Sequence, residues 1–192
     1  MRFMNEYSER EKKMLLELAR KSIEYFLERR ELMRLDEDKI PEKLKEKKAC
    51  FVTLEKNGML RGCIGSLHAY EPLYLDVVKN AVAAAFYDTR FMPVSKDELK
   101  DIEIEISILT EPERVEYKDV EDLMKKIKPK KDGLIIKLGQ RSATFLPQVW
   151  EQLPSKEDFL SHLCMKAGLS KDEWKKGRLE VYKYNVLSFK EK

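Results

Sequence analysis

Cys63 lies two residues after Arg61 in the stretch LRGCIG, residues 60–65, with Gly62 between them and Gly65 closing the run. A guanidinium beside a thiol favours the thiolate, the form that serves as a nucleophile or redox centre. The plain alternative is a small core residue, because unpaired cysteines are among the most buried side chains. Strand alternation would place Arg61, Cys63 and Gly65 on one face. Glycine within a strand marks a bulge or a close approach to the backbone.

A second candidate group follows in YDTRFMP, where Asp88, Arg90 and Phe91 lie within four residues. Such an Asp and Arg either pair with each other or offer a charged ledge to an anionic ligand. In the second half of the chain Arg141, Ser142, Thr144 and Pro147 occupy the place that Arg61 and Cys63 hold in the first. His68 and His162 are the two histidines. Cys63 with His68 makes a conceivable nucleophile pair, though no third orienting residue stands out. Cys63, His68, His162 and Cys164 make a poor metal set, because the spacing is loose and residues two apart on a helix face different ways. No phosphate loop, dinucleotide fingerprint or nucleophile elbow occurs, and no cofactor is expected.

The elements that must position these residues are legible from periodicity. Ser8 and Glu11 form a capping box before a helix predicted over residues 9 to about 30. Residues 36–48 read as a charged connection around Pro41. Two β-rich runs flank Asn57-Gly58, a strong hairpin signal. Pro72 opens a helix with an alanine-rich face that should end near Asp88. Ser95 and Glu98 cap a short turn, and DIEIEISIL alternates as a half-buried strand.

The same order then recurs. GLIIKLGQRSATFLP reads as a hairpin, Ser155 caps a helix stopped by Gly168, and RLEVYKYNVLSF reads as one closing strand. A small helix at Val120–Ile127 separates the halves. These readings predict an α+β fold: a duplicated hairpin–helix–strand unit forming a barrel-like, mostly antiparallel sheet covered by helices. The expected organisation is a single domain over 1–192, with a helical segment 1–48, a first half-repeat 49–110 and a second 111–192.

Composition bounds the function. The 192 residues carry 38 Lys and Arg against 35 Asp and Glu, a net charge of +3 that gives no strong nucleic-acid footprint. The one basic cluster, KKIKPKKDG, reads as a solvated loop. No apolar run approaches a membrane span, and the N-terminal sequence has no signal-like apolar core. Three free cysteines fit a reducing, cytoplasmic setting. Abundant Lys and Glu with few amides points to a thermophilic source.

Four ordered stretches carry a family resemblance: LRGCIG; AYEPLYLDVVKNAVAAAFYDTRFMPV; DIEIEISILTEPE; and ATFLPQVWEQLPSKEDFLSHLCMKAGL. Together they resemble the AMMECR domain family, whose microbial members are called AmmeMemoRadiSam system protein A. The resemblance spans about residues 10 to 190. It implies a duplicated α+β fold, an archaeal or bacterial cytosolic protein, and Memo-type and radical-SAM proteins as partners. It carries the family motifs onto residues 60–65, onto Asp88, Arg90 and Phe91, and onto residues 144–147 with Trp150.

The leading expectation is an enzyme or enzyme subunit that uses a Cys63 thiolate, activated by Arg61, on a small anionic substrate. Arg61, Gly62, Gly65, His68, Asp88, Arg90 and Thr144 would bind that substrate. The alternative is a non-catalytic scaffold that binds a ligand or a protein, with nucleic-acid binding a less favoured third.

Overall fold

The computed structural model describes residues 7–191. The N-terminal stretch read above as no secretory signal lies partly outside them. The chain divides into two compact units, one running to Leu109 and resuming at Leu187, the other Thr110–Val186.

In the first unit α1 spans Glu9–Arg29. Its start is fixed by reciprocal bonds: the Ser8 hydroxyl accepts the Glu11 N–H, and the Glu11 carboxylate accepts the Ser8 N–H. Leu15, Ala19, Ile23 and Phe26 form its buried stripe. Strands β1 (Cys50–Lys56) and β2 (Met59–Gly65) meet at Asn57 and Gly58, both at positive φ (53° and 73°), as a tight hairpin turn requires. Helix α2 (Leu73–Phe86) lies on that hairpin, the short α3 (Lys96–Leu99) follows, and β3 (Ile102–Leu109) pairs antiparallel to β1. Val52 and Leu54 of β1 and Ile104, Ile106 and Ile108 of β3 form a buried cluster with Val77, Ala81, Ala84 and Ala85 of α2. The regular isoleucine alternation of β3 is therefore one core face.

In the second unit the elements are β4 (Glu113–Arg114), α4 (Val120–Lys126), β5 (Gly133–Leu138), β6 (Arg141–Phe145), α5 (Lys156–Lys166) and β7 (Glu180–Tyr184). Leu134, Ile136 and Val181 pack with Phe159, Leu160 and Leu163 of α5. Trp150 stacks on Phe159 at 3.7 Å and donates its indole N–H to the Asp132 carbonyl, so the ring is buried with its polar atom satisfied.

The α+β class holds, with mostly local antiparallel pairing, but the strands do not join into one barrel-like sheet. They form two open four-stranded sheets, ordered β2-β1-β3-β8 and β4-β7-β5-β6. The reason lies in the C-terminal run read as one strand. It breaks at Asn185, whose N–H donates to the Thr110 hydroxyl and whose carbonyl accepts the Thr110 N–H. Residues before the break serve the second sheet as β7; those after it form β8 (Val186–Lys190), which joins the first sheet beside β3. The two-residue β4 carried no readable pattern.

Candidate functional site

Strand β2 is an edge of its sheet, so alternate N–H and C=O groups point away from β1 without a ladder partner. Cys63 is one such residue. Its outward N–H donates to Asp88 Oδ2 at 2.9 Å, and its outward carbonyl accepts from Arg90 Nη2 at 3.3 Å. The loop leaving α2 thus closes the strand edge with side chains. A second stitch lies beside it: Arg61 Nη2 donates to the Met92 carbonyl at 2.8 Å. The stretches LRGCIG and DTRFM, separate in sequence, are two sides of one construction.

Within it, Asp88 is the anchor. Its side chain is 4% exposed and accepts from the Cys63 N–H, the Arg90 N–H, Arg90 Nε (2.9 Å) and Arg90 Nη2 (2.7 Å). The Arg90 guanidinium holds this carboxyl well below the usual carboxylate range, against the cost of burial. Arg90 is itself 55% exposed. With Nε and Nη2 engaged from behind, among the described residues no acceptor takes Nη1. Two guanidinium carbons lie over the Phe91 ring, Arg90 at 5.4 Å and Arg61 at 5.8 Å from its centre.

Arg61 does not activate the thiol. Its Nε and Nη2 bond both oxygens of Glu98, at 2.7 and 3.0 Å, and Lys56 joins them at 3.2 Å. These cations pull Glu98 down to about 2. The cause of the redirection is a β-bulge. Leu54 pairs with Gly62 and Glu55 with Leu60, so Arg61 is the extra residue and leaves the alternation that would have put it beside Cys63. Arg61 Nη1 is buried and unpartnered.

Cys63 itself is half-buried and opposite Thr53, whose hydroxyl donates to its sulfur at 3.3 Å. Burial pushes the thiol up; the Thr53 bond and the Arg90 charge offset this only in part. The sulfur is therefore a neutral thiol at ordinary pH. Iodoacetamide should modify Cys63 more slowly than free cysteine at about pH 8, with a rate that keeps rising beyond the usual thiol midpoint near 8.5. Arg90→Ala should push that midpoint higher still. A plateau below about pH 8 would show a primed thiolate instead.

The two glycines of the stretch serve packing. A Cβ on Gly62 would stand 2.3 Å from the Ala84 carbonyl oxygen of α2, and one on Gly65 would stand 2.3 Å from the Phe51 ring. Protein atoms already fill the space where a ligand would meet either Cα. His68 is exposed, its ring centre 5.7 Å from that of Tyr70, and no contact of its ring with Cys63 occurs among the described residues. Thr144 belongs to the second unit, where its hydroxyl donates to the Leu134 carbonyl and shares a 2.8 Å bond with the Tyr184 hydroxyl. Burial pushes Tyr184 up to about 12. The Thr144 carbonyl accepts from Lys166 Nζ at 3.0 Å, and that ammonium lies over Phe145. A cation thus covers an edge carbonyl beside an aromatic ring in each unit.

Among the described residues no three His, Cys, Asp or Glu side chains cluster as metal ligands, and no helix is long and apolar enough to cross a membrane. Glu98, Thr53 and Met92 were missing from the sequence-based site. The sequence pattern marks Glu98 only as a helix cap, a position at which its N–H indeed bonds Ser95 Oγ while its carboxylate goes elsewhere.

The family model for AMMECR1 matches residues 16–189. The chain belongs to the AMMECR1 family. Archaeal relatives cover it almost end to end. A protein of Thermofilum pendens is 38% identical over 98% of this chain and 93% of its own length. A Methanosarcina mazei protein is 42% identical over 96% and 94%. The crystal structure of the uncharacterised protein PH0010 from Pyrococcus horikoshii superposes with a TM-score of 0.91 at 36% identity, covering 97% of this chain and 94% of that one. The AMMECR1 fold is therefore shared in full.

Proposed function

We propose that this AMMECR1-family chain is a non-catalytic binding module that recognises an anionic group through Arg90. The observation that carries the reading is the guanidinium of a 55% exposed side chain gripped by a buried carboxylate through Nε and Nη2, which leaves Nη1 with no acceptor among the described residues. A donor held this way loses little freedom on binding, and Arg is suited to carboxylate and phosphate oxygens. Phe91 supports the guanidinium face. A neutral, half-buried Cys63 favours this role over that of a nucleophile. Cys63 then serves through its backbone, as the point to which Asp88 and Arg90 attach.

The proposal takes 1–192 as one AMMECR-type domain, with a helical segment 1–48 and half-repeats 49–110 and 111–192. It includes a cytoplasmic location, where free thiols stay reduced, and Memo-type and radical-SAM proteins as partners. Inorganic phosphate or acetate, titrated at low ionic strength, should shift the Arg90 Nε–H and Cys63 amide NMR signals saturably. Arg90→Lys, which keeps the charge but not the fork, should weaken that binding about tenfold or more. Shifts that persist unchanged in Arg90→Lys, or that never saturate, would remove the reading.

A further inference from the structure

We infer that Arg61 is a positioning residue for the anion taken at Arg90: it touches no ligand itself and fixes the exposed turn that carries the Arg90 guanidinium. The role rests on the anion-binding reading above and goes beyond it, assigning the site a residue that never meets the anion.

The turn needs such a tie. Residues 90–93 are exposed or half-buried, between a buried Asp88 and a buried Val94. At the first end the Asp88 side chain accepts the Arg90 N–H at 3.2 Å and its carbonyl accepts the Phe91 N–H at 3.0 Å. At the other end the Val94 N–H donates to the Ala85 carbonyl at 2.9 Å. Between these ends, among the described residues, the main chain meets another strand only where Arg61 Nη2 donates to the Met92 carbonyl at 2.8 Å. The Arg61 and Arg90 guanidinium carbons also lie over the same Phe91 ring, at 5.8 and 5.4 Å, so the ring links the two side chains.

Local departures from the rules of the fold converge on Arg61. It is the extra residue of the bulge, and its Nη1 is buried with no partner among the described residues. A buried donor without an acceptor costs stability, and bulges re-aim side chains beside functional sites. Such departures are expected where a residue serves a site rather than the fold. Pairing Glu98 does not by itself require arginine, since Lys56 does so with one ammonium at 3.2 Å. What the planar fork adds is a simultaneous hold on the Glu98 carboxylate, through Nε and Nη2, and on the Met92 carbonyl. With those donors committed, Nη1 enclosed and the side chain 15% exposed, Arg61 has no accessible N–H to offer an anion.

The test is titration of the full chain with inorganic phosphate, followed at the Arg90 Nε–H NMR signal. Glu98→Gln keeps Arg61 but loosens its anchor, and it removes a negative charge. By charge alone that variant should bind phosphate more tightly. Through positioning it should bind about three- to tenfold more weakly, because the ligand must then order the turn. Arg61→Lys, which keeps the charge, should weaken binding by a similar factor. In an Arg90→Lys background Arg61→Lys should change the affinity less than about twofold, since the fork it positions is gone. Unfolding midpoints measured beside each titration separate weaker binding from loss of folded chain; should Arg61→Lys not fold, Glu98→Gln decides alone. An affinity in Glu98→Gln equal to or above the native one would overturn the inference and leave the Arg90 site standing. Losses that multiply in the double variant would also overturn it, by putting Arg61 on the anion. If phosphate perturbs no Arg90 signal in the native chain, the anion-binding reading and this role fall together.

Discussion

Asp88→Ala should lower folding stability by about 2–4 kcal/mol, read from urea or thermal unfolding. The carboxylate accepts four hydrogen bonds in a nearly closed setting. Its removal leaves the Cys63 N–H facing no acceptor on the strand edge and frees Arg90. The half-exposed guanidinium regains water, so most of the cost falls on the lost charge-assisted bonds and the stranded N–H. Asp88→Asn, which keeps one acceptor oxygen, should lose roughly half as much. The pH dependence carries the sign. Asp88 has a folded pKa below its unfolded value of about 4, so its stabilisation is complete above that value and disappears as pH falls through the folded one. The stability gap between the native chain and Asp88→Asn should therefore be widest near neutrality and narrow progressively as pH falls below about 5. Glu98 titrates in the same range but is present in both chains and cancels in the difference. A gap that stays constant over that range would mean that the ionised carboxylate contributes nothing.

Much of this anchor was visible in the sequence as residue types but not as geometry. Helix α1, both hairpins and β3 follow from local rules: a capping box, turn dipeptides and an apolar alternation, each of which needs only neighbours in the chain. Asp88 and Arg90 could be named, and their pairing was one of two options, because they are two residues apart. What they hold could not be read, since Cys63 lies twenty-five residues away. The bulge at Arg61 is the sharper case. Counting back from the Asn57-Gly58 turn sets Cys63 opposite Val52 on the core face, whereas the extra residue sets it opposite Thr53 on the other. One inserted position reverses every side chain beyond it, and nothing in the types of residues 54–62 announces it. The same shift sends Arg61 to Glu98 and leaves the thiol without its expected cation. The split of the last strand at Asn185 escaped for a related reason. Both pieces have strand composition, and only their partners in the two sheets separate them.

Gly62→Ala should be as damaging as the loss of Asp88, and by a route that links packing to the site. The added methyl would stand 2.3 Å from the Ala84 carbonyl oxygen and 3.1 Å from its carbon, both backbone atoms of α2. Neither can rotate away, so the last turn of the helix must lift from β2. Overpacking of this kind costs about 1–3 kcal/mol, and the upper end is expected where the obstacle is a helix backbone. That last turn delivers Tyr87 and Asp88, so the lift also draws the carboxylate from the Cys63 N–H. Hydrogen exchange should then report lost protection at the Cys63 amide beyond what global destabilisation accounts for. Ala84→Gly should give no rescue, because the clash is with main chain. Rescue by that second change, or a Gly62→Ala protein as stable as the parent, would show that α2 does not rest on this glycine. Its place between Arg61 and Cys63 is thus a condition of the site: only a residue without a side chain lets the helix approach closely enough for Asp88 to reach the strand edge.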